Sequence, residues 1–255
     1  MKAIFFLTLR ALTGWKRPLV LGLLILVPAL LGLVFSLSTT DEDGTRFAVE
    51  LFDNLVLPVI MPIIAVIVAA SALGHEVEDR TLIYLTLKPV SRFKIVIAKY
   101  ASAVCIVAGL VEVGVAAMFV LASRKAAAVQ PGLSQAVFDK GNTAGGLLIA
   151  ALGGSAAYAG LFLLLGLLMP QRGLLVGFAY VLGWEGLAAG LSMALATLSV
   201  RRYVQGLLDT HLASDTLAQL IPSTLSAGGS VLGLLIVVAA TVLLTTWRLT
   251  CIQLP

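Results

Sequence analysis

The stretch Gly74–Tyr100, GHEVEDRTLIYLTLKPVSRFKIVIAKY, gathers eight charged residues between two apolar runs. Its first residues invite a metal reading. A zinc site of the HExxH kind needs two histidines four residues apart, so that both imidazoles lie on one helical face. Here His75 is followed four residues later by Asp79, and a ligand is missing. His211 is far away in sequence, and Cys105 and Cys251 have neither metal nor disulfide spacing. Ser155, in GGSAAY, has no histidine in any apolar run to activate it as a nucleophile. No GxxxxGK[ST] phosphate loop occurs, so ATP is not bound in that way.

Two acids remain, and both fall inside apolar runs: Glu112 and Glu185. A carboxylate at the bilayer centre costs about 2.5–3.5 kcal/mol, so each is expected to face the protein interior or a polar path. Two roles fit each acid. One is a substrate path, proton relay or gate, or a contact with a second subunit. The other is a protonated or hydrogen-bonded group that fixes helix packing. Glu185 stands beside Trp184 in GWEGLAAG, where Gly186 and Gly190 have the spacing that permits close helix approach.

Composition says what must position these residues. The chain is 60% hydrophobic and 12% charged, whereas a soluble domain has about 45–50% apolar and about 25% charged residues. Six runs are long enough to cross a hydrocarbon core of roughly 30 Å: Leu19–Leu37, Leu55–Leu73, Ile95–Ala122, Ala144–Met169, Leu174–Leu198 and Gly229–Trp247. An all-α, polytopic membrane protein with a single transmembrane domain over 1–255 is therefore expected. Pro58 and Pro62 sit inside the second run, where each removes a backbone donor and can kink the helix. The net charge of +4 does not argue for nucleic acid, because the basic residues border apolar runs, where lipid headgroups account for them.

Placing the amino terminus in the cytoplasm puts eleven of the 17 Lys and Arg inside, among them Lys16, Arg17, Arg92, Lys94 and Lys99. Both termini and the Gly74–Tyr100 connection then face the cytoplasm of a cell-membrane protein. Residues 1–17 carry four basic residues and no acid, with Phe5, Leu9 and Leu12 at helical spacing. This pattern predicts an amphipathic helix on the inner surface rather than a cleaved leader. In the outer segment 199–228, Val200, Tyr203, Val204, Leu207, Leu208 and Leu212 fall on one face, with Arg201, Arg202, Gln205 and Asp209 elsewhere, which predicts an interfacial helix.

The cytoplasmic connection resembles the first cytoplasmic loop of ABC transporter permeases of the type-2 export family. It has the G-x-E of Gly74 and Glu76, a TL-x-YLL-like segment at Thr81–Leu87, and Lys88-Pro89-Val90-Ser91-Arg92, with Lys88 where Arg is usual. Tyr180–Leu207 is similar to the fifth span and outer helix of that family. The resemblance implies an export permease without catalysis of its own. Its expected partners are a second permease, the same or related, membrane lipid, and an ABC ATP-binding subunit that holds the ATP and Mg; no cofactor is expected in this chain. It also implies that residues 74–94 form a coupling loop whose short helix docks on the ATPase through Glu76, Asp79, Arg80, Thr81, Leu82, Tyr84, Leu85, Pro89 and Arg92. By itself TLIYLTL has strand propensity, so this helix rests on the resemblance. The rival reading is a proton-coupled secondary transporter using Glu112 and Glu185.

Overall fold

The computed structural model describes residues 5–8, 17–39, 43–78, 91–129, 135–188, 199–210, 212 and 225–251. Among these residues every regular element is helical and none is a strand. Helix α1 covers Arg17–Leu37. Helix α2 is a continuous run of five pieces: Gly44–Leu51, π-helical turns at Phe52–Ile60, Met61–Ala65, π-helical turns at Val66–Ala70, and Ser71–Glu78. Helix α3 is Arg92–Val129 and α4 is Gln135–Leu168. A single 3-10 turn, Pro170–Arg172, leads into α5, which runs as α-helix over Gly173–Tyr180 and as π-helix over Val181–Ala188. Helix α6 is Val200–Asp209, and α7 is Ala227–Cys251.

Five helices among the described residues are long and apolar enough to cross a membrane: Leu19–Leu37, Gly44–Gly74, Arg92–Arg124, Gly141–Leu168 and Ala227–Cys251. The chain is thus a multi-pass, membrane-spanning protein. The second begins 11 residues before the run predicted from hydropathy, because Asp43 caps it by accepting from the Thr45 N–H at 3.0 Å. Polar Arg46, Glu50, Asp53 and Asn54 hid this amphipathic start from an apolar scan. The sixth predicted run, Leu174–Leu198, is described as far as Ala188. Of the predicted amino-terminal helix, residues 5–8 are described and helical.

Helices α2 and α4 form the centre. Phe52, Leu57, Met61 and Ile64 of α2 and Tyr158, Phe162 and Leu163 of α4 belong to one buried core. Helix α3 packs on α1 and α4, and α7 packs on α4. Leu19 and Leu23 of α1 and Leu235, Leu243 and Trp247 of α7 stay exposed, as an outer face set in lipid requires. Helix α2 tolerates its prolines by widening: Pro58 lies within the first π-helical piece and Pro62 follows it. A proline breaks the i→i−4 ladder, and wider turns accommodate the break. Helices α2 and α4 touch most closely at Gly166, where a Cβ would overlap the Ala70 carbonyl.

Candidate functional site

The polar side chains collect at two ends of this bundle. At the end where α2 begins, Asp53 lies in the first π-helical turn and is almost fully buried. Arg201 of α6 donates from Nη2 to both Asp53 Oδ2 and the Asp53 carbonyl, each at 3.0 Å. Gln205, one helical turn further along α6, donates to Asp53 Oδ1 at 2.6 Å. Both carboxylate oxygens are thereby used, which is what makes a poorly solvated charge tolerable. Sequence spacing explains the pairing on α6. Residues 201 and 205 share one face, while Val200, Val204, Leu207 and Leu208 turn into the core.

Beside this clasp lies Glu185, 1% exposed. Its Oε2 accepts from Ser199 Oγ at 2.5 Å, and its Oε1 accepts from Tyr180 Oη at 3.3 Å. Ser199 also caps α6, its oxygen accepting the Arg201 N–H at 3.2 Å. One hydroxyl thus joins the helix start to the buried acid. Tyr158, fully buried on α4, faces Glu185, Tyr180 and Arg201 without completing a hydrogen bond of good geometry. Phe162 fills the wall between Tyr158 and Tyr180, its ring centroid 6.0 and 5.8 Å from theirs. A straight helix over Leu174–Leu198, continued to Ser199, would hold Glu185 and Ser199 about 20 Å apart. Their hydrogen bond shows that these two residues do not lie along one straight span.

Glu112 has a different environment. It is half-buried on α3, beside exposed Gly109 and Val113, and its Oε1 has no hydrogen-bond partner among the described residues. No polar contact joins it to Glu185 among the described residues. Trp184 is partly buried next to Glu185 in the chain.

At the opposite end, α2 terminates at Glu78 and α3 begins at Arg92. Glu76 lies in the last turns of α2. Asp79, Arg80, Thr81, Leu82, Tyr84, Leu85 and Pro89 lie outside the described residues. Arg92, expected at the docking face, donates through Nη1 to the Leu249 carbonyl near the end of α7. Lys99, seven residues on, is fully buried and donates to the Ala72 carbonyl of α2 at 2.7 Å. On the other side of α2, a cavity of about 100 Å³ is lined by Ala70, Ser71, Gly74, Pro170, Gln171, Gly173 and Leu174. Two basic residues read from sequence as flanking charges, Lys99 and Arg201, are thus structural members of the bundle. Asp53, Ser199, Gln205, Tyr158 and Tyr180 were not singled out by sequence. Asp53 offered a signal, as a lone acid entering the apolar run LFDNLVLP.

Among the described residues the fold is a polytopic helical bundle with buried polar clasps at its ends. The profile of the ABC-2 family transporter proteins matches residues 15–169, more than half of the chain, and the chain belongs to that family as an ABC-2 type permease. A search of curated proteins finds no significant match.

Proposed function

We propose that this chain is the membrane-spanning permease subunit of an ATP-driven ABC exporter. It pairs with a second permease, the same or related, and with ABC ATP-binding subunits that carry ATP and Mg on the cytoplasmic side. The family match carries this reading. The architecture supports it: α2 and α3 bracket the charged loop, and their facing ends are tied by the Lys99–Ala72 bond. In this reading residues 74–94 form the coupling loop, with six spans and both termini in the cytoplasm. A proton-coupled secondary mechanism would need Glu112 and Glu185 on one path, and the two acids occupy separate surroundings.

The test is retention of the ATPase. Docking a short helix into a groove concentrates binding on a few anchors. Replacing Tyr84 or Leu85 with Ser is expected to cost about 1–3 kcal/mol of docking, while the spans still insert. A tagged variant purified from its own membrane then loses the Walker-type ATPase that the parent retains. Parental retention and parental transport in both variants would remove the loop from the coupling role.

A further inference from the structure

Among the described residues Lys99 is the one lysine buried in the core, and it has no exposed surface. An ammonium is removed from water at high cost unless it is held by acceptors. It donates to the carbonyl of Ala72, in the last helical piece of α2, at 2.7 Å. A side chain so enclosed cannot meet lipid headgroups, so the topology rule does not explain it.

Three features surround this bond. Two residues back along α2, Ala70 is pressed against Gly166 with no room for a Cβ. Beyond that contact, the side of α2 that carries Gly74 borders the cavity of about 100 Å³, whose far wall is the Pro170–Gly173 turn. On α3, Arg92 lies seven residues before Lys99, close to the same helical face, and takes the Leu249 carbonyl of α7. The end of α2 therefore has a tight contact at Ala70, a cation holding it to α3, and free volume beside it.

We propose that Lys99 is a positioning residue for the α2–α3 loop: by holding the Ala72 carbonyl it fixes the end of α2 against α3, and so sets the position of Glu78, the last described residue before that loop. The coupling role of that loop rests on the function proposed above; the positioning itself does not. Without the cation, the segment after Ala70 is free to lean into the cavity, away from α3.

The experiment measures that displacement directly. Nitroxides are placed on cysteines at Glu78 and exposed Lys94, in the full chain reconstituted in lipid, with the exposed Cys105 and Cys251 replaced by Ala. Lys99→Met is expected to shift the Glu78–Lys94 distance distribution to longer values and broaden it. A control pair at Arg124 and Thr210, at the other end of the bundle, should keep its parental distribution, which a general loss of folding would not allow. A parental Glu78–Lys94 distribution in Lys99→Met overturns the proposal. If that variant does not accumulate, Lys99→Gln, a shorter neutral donor, replaces it with the same readout. Failure of both to accumulate assigns Lys99 to folding of the bundle and also overturns it. A displaced loop with parental ATPase retention upholds the positioning role and instead counts against docking through the loop.

Discussion

The two ends of the bundle are built on different bonding. At the far end, side chain meets side chain: Asp53 is held by Arg201 and Gln205, and Glu185 by Ser199 and Tyr180. Acceptors and donors there belong to α2, α5 and α6 together, so no one of these helices can shift without breaking a charge-assisted bond. At the loop end, cations donate to backbone carbonyls: Lys99 to that of Ala72, and Arg92 to that of Leu249. The Ala72 carbonyl lies inside a helical run that continues to Glu78, so its own ladder bond remains when the cation is lost. A cavity also lies alongside α2 at this end. One end is locked by mutual dependence, and the other is held by tethers next to free volume. In the function proposed above, where a cytoplasmic subunit drives the spans, this order would put the adjustable end on the driven side.

The strongest way to break this comparison is at the far end. Asp53→Ala leaves Arg201 a quarter exposed and without its carboxylate. Breaking a buried pair by removing one partner costs about 3–5 kcal/mol, and the partial exposure of Arg201 places the expected loss near about 3 kcal/mol. The measurement is the thermal midpoint of the purified protein in detergent, and an unchanged midpoint would mean that the clasp contributes nothing.

A smaller loss is expected at the tight contact beside the loop-end cavity. Gly166→Ala puts a methyl group onto the backbone of Ala70. Backbone cannot rotate aside as a side chain can, so an overpacking cost of about 1–3 kcal/mol follows. The same thermal assay checks it, and a variant as stable as the parent would show that α2 and α4 slide freely there.

The smallest effect sharpens the contrast and has the opposite sign. Gly74 faces the cavity, and a Cβ there comes 3.4 Å from the Gly166 carbonyl oxygen, an ordinary contact. Gly74→Ala is therefore accommodated. It stabilises by about 0.4–1 kcal/mol through the unfolded chain. A clear loss of stability would show that this side of α2 has no room to move.

Sequence alone determined the solvent of this protein and the class of its elements. Hydrophobic runs of membrane length can satisfy their backbone only as helices, or as a closed barrel, and length and composition chose helices. Amphipathic spacing likewise placed the face of α6 correctly at Val200, Val204, Leu207 and Leu208. These are local properties, carried by each segment in its own side-chain order. The family resemblance was also legible, in motifs of the loop and of residues 180–207, and the family match over residues 15–169 upholds it.

What a charge does in the bundle was decided by tertiary structure. Lys99 and Arg201 look alike in sequence, basic residues near the ends of apolar runs, and both were counted as flanking charges. Their roles follow from partners 27 and 148 residues away, the Ala72 carbonyl and Asp53. The same holds for Glu185. Its depth was readable from hydropathy, but its acceptor role toward Ser199 required the chain to bring residue 199 back beside residue 185. Helix propensity and periodicity record only which face of a segment is apolar. Which donor meets which acceptor depends on how whole helices pack, and that packing is set here by close contacts such as Gly166 on Ala70, which no local pattern encodes.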